Sequence, residues 1–256
     1  MVNAEFSVED GVGYITVQRA EALNAIDSPT KFEIIDTLDE YRENDDVKVV
    51  VFESEGDQAF VAGGDLKEVP ENDYSLKYFT DSWEELFTTM MTLGKPTVAK
   101  VDGWALGGGF DLLLHTDIVI AADDAMIGQP EIGLGILNHF SPPMLPDLVG
   151  LRKTMELLLT GEPVSGEAAE EIGLVTRSVA RDELDDEVQD VVDSLVDKSP
   201  RITKLVKEAV YTSINMAPSA SRELLEAQSL HSARNDPDYM EGVRAQIEGR
   251  DPEWPE

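Results

Sequence analysis

The chain has 256 residues, with 52 acidic and 20 basic side chains, a formal charge of −32 and no cysteine. The missing cysteines exclude a disulfide framework, a thiolate metal site and a cysteine nucleophile, and so negative a surface repels nucleic-acid backbones and anionic membranes. With 42% hydrophobic and 28% charged residues, the composition implies a globular core, as one domain or one domain plus a helical tail.

Met1 to Asp10 has neither a basic start nor an apolar run, and no later stretch approaches membrane-spanning length, so a cytoplasmic protein is expected. Phe6 to Val8 and Tyr14 to Val17 read as a hairpin around Asp10-Gly11-Val12-Gly13. Ser28-Pro29 supplies an N-cap and a first-turn proline to a helix through Arg42. Val47 to Phe52 is a near-continuous apolar run, the pattern of a strand buried on both faces. A helix is predicted over 72–93, a strand at Thr97 to Val101, a glycine-started helix from Gly107 to His115, and strands at Ile118 to Ala121 and Ala125 to Ile127. Helical signal dominates from Ser141, with late helices from Ser199 through Met216, Ala220 to Arg234 and Pro237 to Ile247. Strands alternating with helices, then helices alone, give an α/β core with a helical C-terminal extension. Within it, Asp182 to Val196 alternates apolar positions at helical spacing with an acidic face, which implies adaptation to high salt, where screening removes self-repulsion.

Two glycine-rich stretches follow strands: Phe60-Val61-Ala62-Gly63-Gly64-Asp65-Leu66 and Trp104-Ala105-Leu106-Gly107-Gly108-Gly109-Phe110-Asp111. Strand-to-helix junctions of this kind expose peptide N–H groups in a field that favours negative charge. Two converging would hold an acyl oxygen as it becomes enolate-like; one alone reads as tight packing or a turn. Neither stretch has the spacing of a dinucleotide or phosphate loop. Asp111 lies three residues beyond Gly108, on the helix face turned to the same end. Glu131, in Gly128-Gln129-Pro130-Glu131, is the second carboxylate near these glycines. Burial of either would raise its pKa toward the range useful for proton transfer.

In order along nearly the whole chain, seven segments resemble the crotonase, or enoyl-CoA hydratase/isomerase, superfamily. Glu21-Ala22-Leu23-Asn24-Ala25 is similar to the family's early segment bordering coenzyme A. Phe60 to Leu66 resembles F-x-A-G-x-D-L, and Lys95-Pro96 to Gly109 resembles K-P-x-[VI]-A-x-[VI]-x-G-x-[AC]-x-G-G-G. Gly128 to Gly135 is similar to F-G-x-P-E-x-x-L-G, Leu159-Thr160-Gly161 to L-T-G, Ala168 to Val175 to A-x-x-x-G-L-V, and Asp236 to Arg250 to the usual family ending. The resemblance implies a ββα spiral core over residues 1–198 and a helical region over 199–256 that packs protomers into a homotrimer or dimer of trimers. It places the oxyanion-binding N–H groups at Gly64 and Gly108 and the two acid–base carboxylates at Glu131 and Asp111. Ala22, Leu23, Ala62, Asp65, Leu66 and Gly107 would border an acyl-CoA thioester, which is substrate; no resident cofactor and no metal are implied. The implied reaction is addition or removal of water across the 2,3 double bond of an enoyl-CoA. A double-bond isomerase, a thioester hydrolase or a decarboxylase is the alternative, and a non-catalytic acyl-CoA binder would need neither the carboxylates nor the paired glycines.

Three departures stand out. Asp111 replaces a glutamate and is one methylene shorter. Ile136-Leu137-Asn138-His139-Phe140-Ser141 replaces a glycine-rich P-G-x-G-G stretch, so that His139 or Asn138 becomes a candidate third group, against packing of His139 on Phe140. Glu21 stands where many members have a basic residue near the coenzyme A phosphates. Elsewhere His115 reads as a satisfied core histidine and Asp65 as a helix cap, and three scattered histidines make a transition-metal site unfavourable.

Overall fold

The computed structural model describes residues 3–71, 76–214 and 216–255. They divide into two compact units, 1–196 and 197–256.

The first unit is built on two sheets. Hairpin strands β1 (Ala4–Glu9) and β2 (Val12–Val17) lead to helix α1 (Ser28–Glu43). Three successive turns then follow one plan. Strands β3 (Val49–Ser54) and β4 (Ala59–Val61) precede the short α2 (Glu68–Glu71) and α3 (Leu76–Thr92); β5 (Thr97–Val101) and β6 (Trp104–Leu106) precede α4 (Gly108–Leu114); β7 (Ile118–Ala122) and β8 (Met126–Gly128) precede a 3-10 turn (Pro130–Leu134) and α5 (Ser141–Thr160). The first strand of each turn joins a six-stranded sheet of order β1-β2-β3-β5-β7-β10, and the second a four-stranded sheet of order β4-β6-β8-β9. The closing elements are β9 (Val164–Ser165), α6 (Gly166–Glu171), β10 (Arg177–Val179) and α7 (Leu184–Val196). The larger sheet is parallel except for the β1–β2 hairpin, and the smaller is parallel except where β9 joins β8. This is the ββα spiral expected of the fold.

Why the strands sit where they do follows from their side chains. Val49, Val50, Val51 and Phe52 are all buried, so β3 is covered on both faces, each side chain contributing about 1.5–3 kcal/mol of burial. On α3, Trp83, Leu86, Phe87 and Met90 recur at helical spacing and enter the same core.

Several expectations need correction. Strand β3 runs from Val49 to Ser54, two residues later than the apolar run suggested. The cap of α1 is Asp27, not Ser28: its backbone is extended and its carboxylate accepts the Thr30 N–H at 3.0 Å. Ser28 is the first helical residue, and its N–H and hydroxyl donate to Glu68. The expected start of α3 at Asn72 lies outside the described residues. Strands β4, β6, β9 and β10 are two or three residues long, too short to show an alternation in sequence.

The second unit holds α8 (Pro200–Ser213), α9 (Pro218–Asn235) and α10 (Pro237–Glu248). Ser199 caps α8 by accepting the Ile202 N–H, and its hydroxyl donates to buried Asp238, which also pairs with Arg201. Among the described residues, no helix is long and apolar enough to cross a membrane.

Candidate active site

The Phe60–Leu66 stretch does not open a helix, contrary to the sequence expectation; α2 begins only at Glu68. Instead Gly64 forms a parallel bridge with Ile26. Ile26 N–H donates to Gly63 O at 2.9 Å, Asp65 N–H to Ile26 O at 3.1 Å, and Ala62 N–H to Leu23 O at 3.1 Å. The early segment around Ala22 and Leu23 is therefore the scaffold on which Gly63 and Gly64 are laid. Buried Asn24 fastens it from below, its Nδ2 donating to Glu55 O and Ala59 O while Oδ1 accepts Arg19 N–H. Arg19 closes the arrangement by donating to Ala25 O and to Asp65 Oδ2, 2.9 Å away. Burial acts to raise the Asp65 carboxyl, but the hydrogen bonds from Arg19 and the Lys67 N–H outweigh it and hold its pKa below the usual range. Asp65 thus joins an ion pair as well as the turn before α2.

The second glycine-rich stretch does start a helix. Gly107, at φ +57°, donates its N–H to Gly128 O at 3.1 Å and turns the chain from β6 into α4. A β-carbon on Gly63 would lie 3.6 Å from the Gly108 nitrogen, and one on Gly109 only 2.0 Å from Val61 O. The two stretches converge to backbone contact. Among the described residues, neither the Gly64 nor the Gly108 amide donates to a backbone acceptor, and both residues line a cavity of about 430 Å³. Trp83 packs against Gly108 so closely that a β-carbon there would fall 2.5 Å from its Cζ2. Leu66, Leu134 and Leu137 form an apolar rim, Leu137 being 85% exposed.

Asp111 and Glu131 both face this cavity, in unequal surroundings. Asp111 is 1% exposed. Its Oδ1 accepts from Ser141 Oγ at 2.5 Å and Gln129 Nε2 at 3.1 Å, and its Oδ2 accepts from Asn138 Nδ2 at 2.6 Å. Burial raises its pKa to about 6, with those three donors restraining the rise. Glu131 has no such support: its Oε2 is buried without any hydrogen-bond partner. Burial, then the charge of Asp111, pushes its pKa up to about 7. Of the two, Glu131 is therefore the carboxyl that more readily keeps a proton toward neutral pH.

Of the residues picked from sequence, the cavity brings together Ala62, Gly64, Leu66, Gly107, Gly108, Asp111, Glu131 and His139. Ala22, Leu23 and Asp65 lie outside its lining; Leu23 O accepts the Ala62 N–H and Asp65 N–H donates to Ile26 O, while Ala22 bonds within its own turn, to Arg19 and Ala25. His139 is exposed and lies against Phe140, the rings tilted by 36° with centroids 4.0 Å apart. His115 is buried, its Nδ1 2.7 Å from Asp111 O and its ring stacked on Phe87; burial lowers its pKa. Sequence reasoning missed Gln129 and Ser141, and the altered loop at Asn138 was the one signal that pointed toward them. Among the described residues, no group of three or more His, Asp or Glu side chains is placed to hold a metal.

A family model described as enoyl-CoA hydratase/isomerase matches residues 7–256. The chain belongs to the enoyl-CoA hydratase/isomerase family. Among family relatives, a probable enoyl-CoA hydratase of Mycobacterium bovis is 34% identical, with 95% of this chain and 94% of that protein covered. A short-chain-enoyl-CoA hydratase of Clostridium acetobutylicum is 34% identical over 81% of this chain and 80% of that protein. A carnitinyl-CoA dehydratase of Escherichia coli is 32% identical over 94% and 93%. The crystal structure of an enoyl-CoA hydratase from Mycobacterium smegmatis superposes with a TM-score of 0.93 at 29% identity, covering 99% of both chains.

Proposed function

We propose that the chain is an enoyl-CoA hydratase/dehydratase that adds or removes water across the 2,3 double bond of an acyl-CoA thioester. The observation that carries this reading is the unequal pair on one cavity: Asp111 held by three donors, Glu131 with a buried oxygen that has none. Hydration needs a base for water and an acid for the α-carbon, and the pair supplies one of each.

In the forward direction the thioester oxygen accepts from the Gly64 and Gly108 amides. Asp111 takes a proton from water as its oxygen bonds to the β-carbon, and the π electrons move onto the thioester as an enolate. Glu131 then gives its proton to the α-carbon. Water has been added, Asp111 holds a proton and Glu131 has lost one; transfer back through solvent restores the pair. Four lone-pair positions on the Asp111 carboxylate less three occupied leave one for the water. An isomerase would need Glu131 alone, and the care with which Asp111 is held favours hydration.

No cofactor enters this scheme, because the coenzyme A thioester is the substrate. The second unit exposes Leu205, Val206 and Val210 along α8 and Ile214 just past its end, which supports a homotrimer or dimer of trimers, testable by light scattering. Incubation with crotonyl-CoA tests the reaction: loss of the conjugated-thioester absorbance is expected. An unchanged crotonyl-CoA signal with a rising signal from a 3-enoyl-CoA would replace the hydratase reading with an isomerase.

A further inference from the structure

We propose that Lys31 is a positioning residue for the reaction: its buried ammonium holds the Trp83 indole against Gly108, and the indole keeps the Gly108 amide aimed at the thioester oxygen. The inference deepens the hydratase reading and rests on it for the task of that amide. It stands first on what surrounds Gly108. On one side Gly107 is tied through its N–H to Gly128 O, and on the other Gly109 has no room to move beside Val61 O. Between them the support is the indole. The three atoms nearest to a β-carbon on Gly108 would all belong to Trp83, Cζ2 at 2.5 Å and Cε2 and Cη2 at 2.9 Å. Trp83 is 2% exposed and also lines the cavity, so its edge touches both the helix start and the space for substrate.

Trp83 is itself held. Phe87, one turn further along α3, stacks on it with centroids 5.3 Å apart and planes inclined by 28°. From α1, Lys31 sets its Nζ over the ring, 4.8 Å from the centroid, within the reach of about 6 Å over which a cation is drawn to an indole face. Lys31 is 0% exposed. Lysine is rarely so buried, and a core that needed only volume there would take methionine or leucine without desolvating a charge. The charge persists at neutral pH: burial lowers the Lys31 pKa to about 8, with Glu68 and then Asp27 restraining the fall. Both carboxylates are fixed by the start of α1, Glu68 by the Ser28 N–H and hydroxyl and Asp27 by the Thr30 N–H. The cation thus has a fixed frame behind it and the negative face of an indole before it. Moving Trp83 away from Gly108 forfeits that attraction between two side chains shielded from water.

The test is a double-mutant cycle between Lys31→Met and Trp83→Leu. It is read by kcat and KM on crotonyl-CoA, by calorimetric binding of butyryl-CoA, which has no double bond to hydrate, and by the Gly108 amide resonance in proton–nitrogen NMR spectra. Lys31→Met is close in volume but uncharged, and is expected to lower kcat about tenfold, the scale of a desolvated cation–indole contact. KM and butyryl-CoA affinity should stay within about twofold, because the amide acts most strongly on the enolate. The Gly108 resonance should be displaced. Trp83→Leu should lower kcat at least as much, and in that background Lys31→Met should have no further effect, since its influence passes through the ring. Lys31→Arg keeps a cation that stacks on indole and should restore most of kcat. A residue that merely filled the core would lower the melting temperature and leave kcat and the resonance in place. Wild-type kcat in a folded Lys31→Met protein, or an equal fall in both backgrounds, would overturn the proposal. Should Lys31→Met fail to fold, Trp83→Leu decides alone, and either an unchanged kcat or an unmoved Gly108 resonance there refutes it. A Gly108 resonance that moves in Lys31→Met, in a protein unable to hydrate crotonyl-CoA, would sink the hydratase reading and leave the hold of Lys31 on Trp83 and Gly108 intact.

Discussion

A β-carbon on Gly107 would sit 2.8 Å from Oε1 of Glu131. The acid thus rests on bare backbone, on the residue that turns β6 into the helix bearing Asp111. The contact links two motifs more than twenty residues apart, and it fixes the distance between the helix start and the proton carrier. Gly107 also adopts φ +57° with ψ −118°, a combination that side chains rarely tolerate.

Gly107→Ala is therefore expected to combine backbone strain of about 1–3 kcal/mol with displacement of Glu131. Thermal melting should show the lost stability, and turnover should fall beyond what the melting shift accounts for. Wild-type turnover in a folded Gly107→Ala protein would mean that the placement of Glu131 is not critical.

Glu131→Gln removes the transferable proton while keeping the shape of the side chain. Turnover of crotonyl-CoA should fall by about 10²–10⁴-fold, the usual contribution of a positioned acid or base. Binding of the thioester, measured by calorimetry, should change little, since the proposed scheme assigns the carbonyl to the Gly64 and Gly108 amides. Retained activity would remove Glu131 from the chemistry.

Stability should depend on pH in the sense set by these buried acids. Glu131 at about 7 and Asp111 at about 6 both lie above their ordinary values of 4.5 and 3.8. In the window between ordinary and raised values the folded protein binds more protons than the unfolded chain. Their contribution is present at low pH and is lost as pH rises through about 7. The melting temperature of Glu131→Gln relative to wild type should accordingly be higher at pH 8 than at pH 5. A gap that is constant across this range would show that Glu131 titrates normally.

Arg19→Met should loosen the first glycine stretch. The guanidinium donates to Ala25 O and Asp65 Oδ2 and pairs with Asp27 at 3.4 Å, and its loss leaves the Asp65 carboxylate, 14% exposed, without its counter-charge. A lower melting temperature and a raised KM are expected, with hydrogen exchange faster at Ala62 and Asp65, whose amides bond to Leu23 O and Ile26 O. Unchanged exchange there would show that Asn24 alone holds the loop.

Much of this was legible in sequence because it is local. The β3 run of Val49 to Phe52 and the spacing of Trp83, Leu86, Phe87 and Met90 carry their own periodicity, and the ordered glycine and Pro-Glu segments carry the family resemblance. What stayed hidden was non-local. Strands β4 and β6 are three residues long and owe their existence to the sheet they join. The bridge from Ile26 to Gly64 spans 38 positions, and nothing in Gly63-Gly64 distinguishes a bridged loop from a helix start. Asn138 was visible as a departure from a glycine-rich pattern, yet its direction depends on capping α5. Beyond the altered loop, Gln129 and Ser141 gave no sign of their own, because a buried donor is defined by the acceptor it meets.

The crowding around Asp111 has a consequence for how this protein can change. A glutamate at 111 would carry its carboxylate one methylene further, into space where Asn138 and Ser141 already converge. Positions 111, 138 and 141 are therefore epistatic, their effects failing to add when altered singly. Any route between the two arrangements that changes one position at a time passes through a protein with a misplaced acid, which ties the short aspartate to its polar loop.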